Sequence, residues 1–200
     1  MTAGVPDELI GVWRRESLSV GEGEPFEDAN VVWVQSRTRY ADIRILLSGD
    51  AKGSEAFAGT QVWRPPLLTF NHDLDYTAKS PDDVGQFSWD GPTLVERGSV
   101  TMNGNEIAFA ERWERVSPCN PQYLALQKQD NEGELRGIAV QVDQHLIIIA
   151  AGDRFSATHF EKVDEAWQQR SFVGAAQSAG FARRILSGDV PDWCGVESDG

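Results

Sequence analysis

Val31-Val-Trp-Val-Gln-Ser-Arg-Thr-Arg-Tyr-Ala-Asp-Ile-Arg-Ile-Leu-Leu47 is the stretch on which the fold turns. It is rich in β-branched and aromatic residues, which suit a pleated, half-buried surface. Side chains alternate along a strand, so Tyr40, Asp42 and Arg44 share one face while Ala41, Ile43 and Ile45 share the other. A strand of this kind must bury an aliphatic row or a Tyr/Asp/Arg row, and the choice decides what the protein can do. Ser36–Thr38 is a turn or a bend, so Trp33 and Tyr40 are not fixed on one face by the sequence alone.

Outward from this stretch, composition sets the frame. Two hundred residues suffice for a sizeable core, and 40% apolar with 24% charged residues is ordinary for a globular protein. Seven Trp and nine Phe against two Met mean that aromatics dominate the core or line a cavity. A net charge of −13 argues against nucleic acid and anionic membranes as partners, since both need a basic footprint. The first residues lack a basic, then apolar, leader, and the longest apolar run, Leu146 to Ala151, is too short to span a bilayer. Cys119 and Cys194 have no C-x-x-C spacing and read as two thiols. Together these features predict a cytoplasmic location.

Turn signals divide the rest of the chain into short extended runs. Gly11–Leu18 reads as a first strand, and Gly21–Asn30 and Ser48–Gly59 as loops. Pro65-Pro66 marks an edge, bulge or corner between Thr60–Trp63 and Leu67–Phe70. Asp90-Gly91, Asn103-Gly104 and the weaker Asp143-Gln144 each sit between strand-like runs, as in hairpins. From Asp164 the composition shifts to Ala, Gln and Arg, with Asp164 placed as an N-cap and Arg183-Arg184 in a last turn. The organisation expected is one domain over 1–200: a β-barrel at 10–163, a helical segment at 164–188 and a tail at 189–200. The fold class is mainly β, an antiparallel up-and-down barrel of about ten strands, since closure removes exposed sheet edges. An open sandwich is the alternative.

Gly11-Val12-Trp13, followed by a strand meander and a late helix, resembles the calycin superfamily, the lipocalins and fatty-acid-binding proteins. In that superfamily the tryptophan of the first strand closes one barrel end against a basic residue from a late strand. The resemblance implies that role for Trp13, with Lys162 or Arg154 as the basic partner. Trp33-x-Gln35, Tyr40 to Ile45 and Glu111-x-Trp113-x-Arg115 also resemble a poorly characterised calycin-like group of bacteria and fungi. That likeness covers roughly residues 10–163 and implies a barrel without an activity to carry over.

Candidate chemistry gathers on two rows. Ile107, Phe109, Glu111, Trp113 and Arg115 alternate with a second charged row, and the aromatic row gains more from burial. Carrying Glu111 and Arg115 inward with it is tolerable if opposite charges pair. Trp33, Gln35, Tyr40, Asp42, Arg44, Glu111, Trp113 and Arg115 are therefore the predicted ligand-binding residues. An internal ion-pair network, or a solvated outer row, is the structural alternative. Asp42, His72 and Glu111 are weaker catalytic candidates, His72 because it stands among Asp73 and Asp75. No nucleophile elbow, phosphate loop, dinucleotide fingerprint or zinc spacing occurs, so no cofactor or metal is expected.

The functional expectation is a barrel binding a small polar or aromatic molecule. An enzyme using the same cavity is one alternative, and an interaction barrel without a ligand is another.

Overall fold

The computed structural model describes residues 4–49, 53–77, 82–102 and 104–199. A 3₁₀ turn, Asp7–Leu9, leads into β1 (Gly11–Val20). Then come β2 (Ala29–Gln35), β3 (Arg39–Leu46), β4 (Glu55–Arg64) and β5 (Leu67–Phe70). β6 (Leu74–Asp75), β7 (Asp83–Asp90), β8 (Thr93–Met102) and β9 (Asn105–Arg115) complete the first half. Each strand pairs antiparallel with its neighbours, β3 with β4 and β9 with β1, so eight strands close a barrel. Two-residue β6 lies beside the start of β4, where β5 does not reach.

The opening question about β3 has a double answer, because both of its faces are buried. Tyr40 and Asp42 point into the barrel at 0% and 3% exposure. Ala41 and Ile43, at 0%, point out of it against a second sheet. Ser36–Thr38 is a tight turn with Gln35 opposite Tyr40 and Trp33 opposite Asp42, which keeps both halves of the stretch in phase. Pro65-Pro66 forms another tight turn, between the paired Arg64 and Leu67. Gly91 and Gly104 adopt the left-handed φ values that their turns require, +61° and +80°. Asn103 lies outside the described residues.

The second sheet comprises β10 (Tyr123–Gln129), β11 (Leu135–Val142), β12 (His145–Ala151) and β13 (Phe155–Val163). β14 (Ala166–Gly174) pairs with β13 at one edge, and β15 (Trp193–Ser198) pairs with β10 at the other. The barrel expected over 10–163 is thus closed by residues 11–115, and the later strands form this separate six-stranded layer. Leu146–Ile149 reads as an unbroken apolar run because both of its faces are covered. Ile147 and Ile149 pack on the barrel wall, and Leu146 and Ile148 on α1 (Ala179–Leu186) and Trp193.

The helical segment expected over 164–188 is shorter than its composition implies. Asp164 and Glu165 form a left-handed turn at φ 47° and 64°, after which β14 runs as an edge strand with mostly exposed side chains. An edge strand that buries little carries the polar residues typical of a helix surface. Ser178, whose hydroxyl accepts from Phe181 N–H at 3.1 Å, caps the one helix among the described residues, and Arg183 and Arg184 occupy its last turn. The tail is anchored as well: β15 buries Trp193, and Glu197 accepts from Thr38 N–H at 3.0 Å and from the Ser36 hydroxyl. Cys119 and Cys194 are free and exposed. No helix among the described residues is long and apolar enough to cross a membrane.

Candidate functional site

Three tryptophans fill the barrel floor. Trp13 from β1 stacks on Trp33 from β2 at 5.8 Å, and Trp113 from β9 meets Trp33 edge-on at 5.5 Å. All three are at most 2% exposed. Burial of 150–250 Å² apiece contributes roughly 4–6 kcal/mol each as an upper estimate. The Trp13 indole N–H donates to the Leu9 carbonyl at 3.0 Å, and the Arg115 guanidinium lies over its ring at 4.2 Å. Arg115 also donates to the carbonyls of Ile10, at 2.7 Å, and Glu8. It closes the Trp13 end of the barrel, so it stands apart from the other predicted ligand-binding residues. Lys162 and Arg154, the partners suggested for Trp13, belong to the second sheet and its turn.

Further along the same inward rows the lining becomes charged. Arg15, two residues after Trp13, is 6% exposed and donates to Glu111 at 2.6 Å and to both Glu27 oxygens at 3.0 and 2.8 Å. Arg44 donates through Nε to Asp42 at 3.0 Å, stands 3.9 Å from Glu111 and lies over the Phe57 ring at 5.0 Å. Asp42 and Glu111, brought inward by β3 and β9, therefore flank Arg44, while Arg15 takes the place beside Glu111 that the sequence offers to Arg115. Gln35 is buried nearby but structural, accepting from the Trp33 indole at 3.1 Å and donating to the Ser36 and Arg39 carbonyls.

Two acids that the sequence reading missed complete the group. Glu96 on β8 lies opposite Glu111 in register and accepts from the Trp113 indole N–H at 3.2 Å. Gly85 on the neighbouring strand leaves room for it, since a Cβ there would run into the Glu96 side chain. Burial, reinforced by Glu111, holds Glu96 well above the usual carboxylate range and favours its protonated form. Burial also raises Asp42, and Arg44 pulls it back to about 6. Asp83 stands at the rim, its side chain 48% exposed.

These groups surround a small cavity of about 20 Å³ bounded by Trp33, Tyr40, Phe70 and Trp113 on its aromatic side. Asp42, Arg44, Asp83 and Glu96 form the charged side. That volume holds about one water molecule, so Arg44, 23% exposed at its side chain, occupies the space that a larger guest would need. A larger, open groove of about 1160 Å³ lies by His145, Glu161 and Trp167 on the second sheet. It contains none of the predicted site residues, whereas the buried charges converge in the barrel.

His72 lies beside this mouth, stacked on Phe57 at 4.2 Å. Its Nδ1 is 3.0 Å from Asp75 and its Nε2 3.4 Å from Asp83. Burial alone would lower its pKa, but the two aspartates outweigh burial and raise it. The two carboxylates fix the His72 ring and favour its charged form. Among the described residues no group of three or more His, Cys, Asp or Glu is arranged to hold a metal ion.

The fold is shared with a solved structure, the crystal structure of the uncharacterised protein YLR301w from Saccharomyces cerevisiae. The similarity has a TM-score of 0.70 at 15% identity and covers 94% of this chain and 98% of that one. No curated protein matches the chain. A family model, described as Protein HRI1, matches residues 11–189 and so spans the barrel, the second sheet and the helix.

Proposed function

The chain belongs to the HRI1 family, and we propose that its barrel is a binding module that receives a small polar molecule at the charged mouth. The observation that carries this reading is the convergence of buried, hydrogen-bonding groups on the 20 Å³ cavity against an aromatic wall. Convergent polar groups in an apolar setting are the usual composition of a small-molecule site. A long apolar guest is disfavoured, because the three tryptophans already fill the floor and one side of the remaining lining is charged. Entry requires Arg44 to swing away from Asp42, which its partial exposure permits.

Native mass spectrometry of the purified protein tests the reading. The expected result is a co-purified small molecule that is lost in an Arg44→Trp variant, where a bulky ring blocks the mouth. A bare mass from gently purified wild-type protein, together with unchanged Trp113 indole signals across a panel of small polar solutes, would refute it.

A second reading uses the same cavity for acid–base chemistry. It is favoured by one feature, the Glu96 carboxyl, its pKa raised, facing Glu111 across paired strands. Paired carboxyl groups set in different environments are the arrangement that proton-transfer enzymes use. Turnover of a bound molecule, with a bell-shaped pH profile abolished in Glu96→Gln, separates this reading from binding alone.

A further inference from the structure

The chemical class of the guest is legible in the charge and shape of the mouth. Four carboxyl groups, Asp42, Asp83, Glu96 and Glu111, face it or lie directly behind it. Two guanidinium groups, Arg15 and Arg44, stand against them. Arg15 is already committed, since Glu27 binds it through both oxygens and Asp28 approaches to 3.3 Å. His72, the third basic group, is held between Asp75 and Asp83. The local field is therefore negative, in a protein whose net charge is −13. An anion entering here would face Asp42, Asp83 and Glu96 with Arg44 alone to receive it, whereas a cation could pair with those carboxyl groups.

The site already demonstrates what it accommodates. The Arg44 guanidinium lies on the Phe57 ring and donates to Asp42, so one aromatic face and one carboxylate hold a planar cation. Aromatic faces attract cations, most strongly when water is excluded. Trp33, Tyr40, Phe70 and Trp113 continue that wall inward from Arg44.

We infer that the guest is a small organic cation, a guanidinium or alkylammonium group, for which Arg44 is a built-in competitor. This inference rests on the binding reading above and narrows it. Arg44 occupies the seat in the unliganded barrel and moves toward solvent when an outside cation takes its place. The guest then bonds to Asp42 and packs on the aromatic wall.

Methylguanidinium, its neutral isostere methylurea, tetramethylammonium and acetate are titrated into the full chain. The indole N–H resonances of Trp33 and Trp113 report binding, each indole being fixed to a neighbour, Gln35 or Glu96. The expected result is saturable movement with the two cations and none with methylurea or acetate. Arg44→Gln removes the competitor and is expected to tighten methylguanidinium at least tenfold. Asp42→Asn is expected to weaken it by a similar factor.

Equal response to methylurea or acetate would overturn the cationic class while leaving a polar binding site. Methylguanidinium binding to Arg44→Gln alone, never to wild type, would show Arg44 to be a permanent filling and overturn the inference. Silence of every probe with both proteins, joined to a bare native mass, would refute the binding reading as well. Thermal melts of each variant show that its fold is retained.

Discussion

Arg115 lies across the ring of Trp13, its guanidinium carbon 4.2 Å from the ring centroid, and seals one end of the barrel. The contact joins the first barrel strand to the last, because Trp13 and Arg115 are register partners between β1 and β9. Burial lowers the pKa of this arginine, and two backbone carbonyls of the entering chain compensate for its desolvation.

Arg115→Met keeps the apolar stem and removes the charge and its donors. A cation–π contact contributes about 0.5–2 kcal/mol and a charged hydrogen bond about 1.5–3 kcal/mol. The variant is expected to lose on the order of 2–4 kcal/mol in urea unfolding followed by tryptophan fluorescence. Lys162→Ala and Arg154→Ala, on the second sheet and its turn, are expected to stay within about 0.5 kcal/mol of wild type. A larger loss in either of those than in Arg115→Met would contradict this closure.

The alternation in β3 and β9 made the inward rows legible before the fold was known, because a period of two survives any arrangement of neighbouring strands. Arg15 carried the same signal, standing two residues after Trp13, yet an arginine in that position also reads as a solvated outer residue. Glu96 gave no signal. Leu94, Val95 and Glu96 are buried in succession, and nothing local indicates that barrel closure aligns Glu96 with Glu111. The second sheet was hidden for a related reason. Its strands look like barrel strands, and only the outward burial of Ala41, Ile43 and Ala58 shows that the barrel wall needs a cover. β14 was obscured by composition, since an edge strand facing solvent and a helix surface select the same polar residues.

Ile43 tests that cover. It is fully buried between barrel wall and second sheet, outside the barrel interior. Ile43→Ala is expected to cost about 2–5 kcal/mol, as large-to-small changes in a packed core do. Ile43→Glu is expected to loosen the second sheet before the barrel opens. Hydrogen exchange would then rise in β11 and β12 while the indole N–H of Trp33 stays protected. Simultaneous loss of protection in both layers would show that they unfold as one unit.

The stability of the protein against pH depends on two buried groups with opposite slopes. His159, stacked on His145 with their ring nitrogens 3.2 Å apart, sits where the second sheet meets the barrel. Burial, His145, Arg14 and Arg170 lower its pKa to about 3. Around it, Glu161 is paired to Arg170 and faces His145 across the strands. The unfolded chain binds a proton on this residue below about 6.5 and the folded chain does not, so its contribution to stability falls as pH drops from there toward 3. Asp42 behaves oppositely: its folded pKa of about 6 lies above the usual value, so it costs stability as pH rises from about 4 to 6. Arg44, Arg15 and Glu111 are the charges around it. Asp42→Asn is therefore expected to steepen the gain in stability between pH 4 and 6, and His159→Gln to flatten it. Urea midpoints measured across that range check both, and parallel curves for the two variants would contradict the assignment.

Glu96 and Glu111 face each other across β8 and β9, yet the same amide substitution is expected to affect them differently. Glu111 accepts from Arg15 at 2.6 Å with both side chains almost fully buried. Glu111→Gln leaves that guanidinium with Glu27 and Asp28 alone, and breaking one side of a buried pair costs about 3–5 kcal/mol. Arg44, 3.9 Å away, also loses one of its two carboxylates. Burial and Glu111 both disfavour the Glu96 anion. Glutamine is a near-isostere of the neutral acid. One polar atom of the amide is placed to accept from the Trp113 indole, as Glu96 does. The unfolded chain ionises this carboxyl above about 4.5, so its raised folded value costs stability as pH rises from there, and Glu96→Gln is expected to stabilise the protein at neutral pH. That gain is expected to shrink as pH falls toward about 4.5, where the unfolded chain also takes up the proton. Chemical denaturation of both variants at pH 4.5 and pH 7 gives the comparison. A Glu96→Gln variant less stable than wild type at pH 7 would contradict the raised value of this carboxyl.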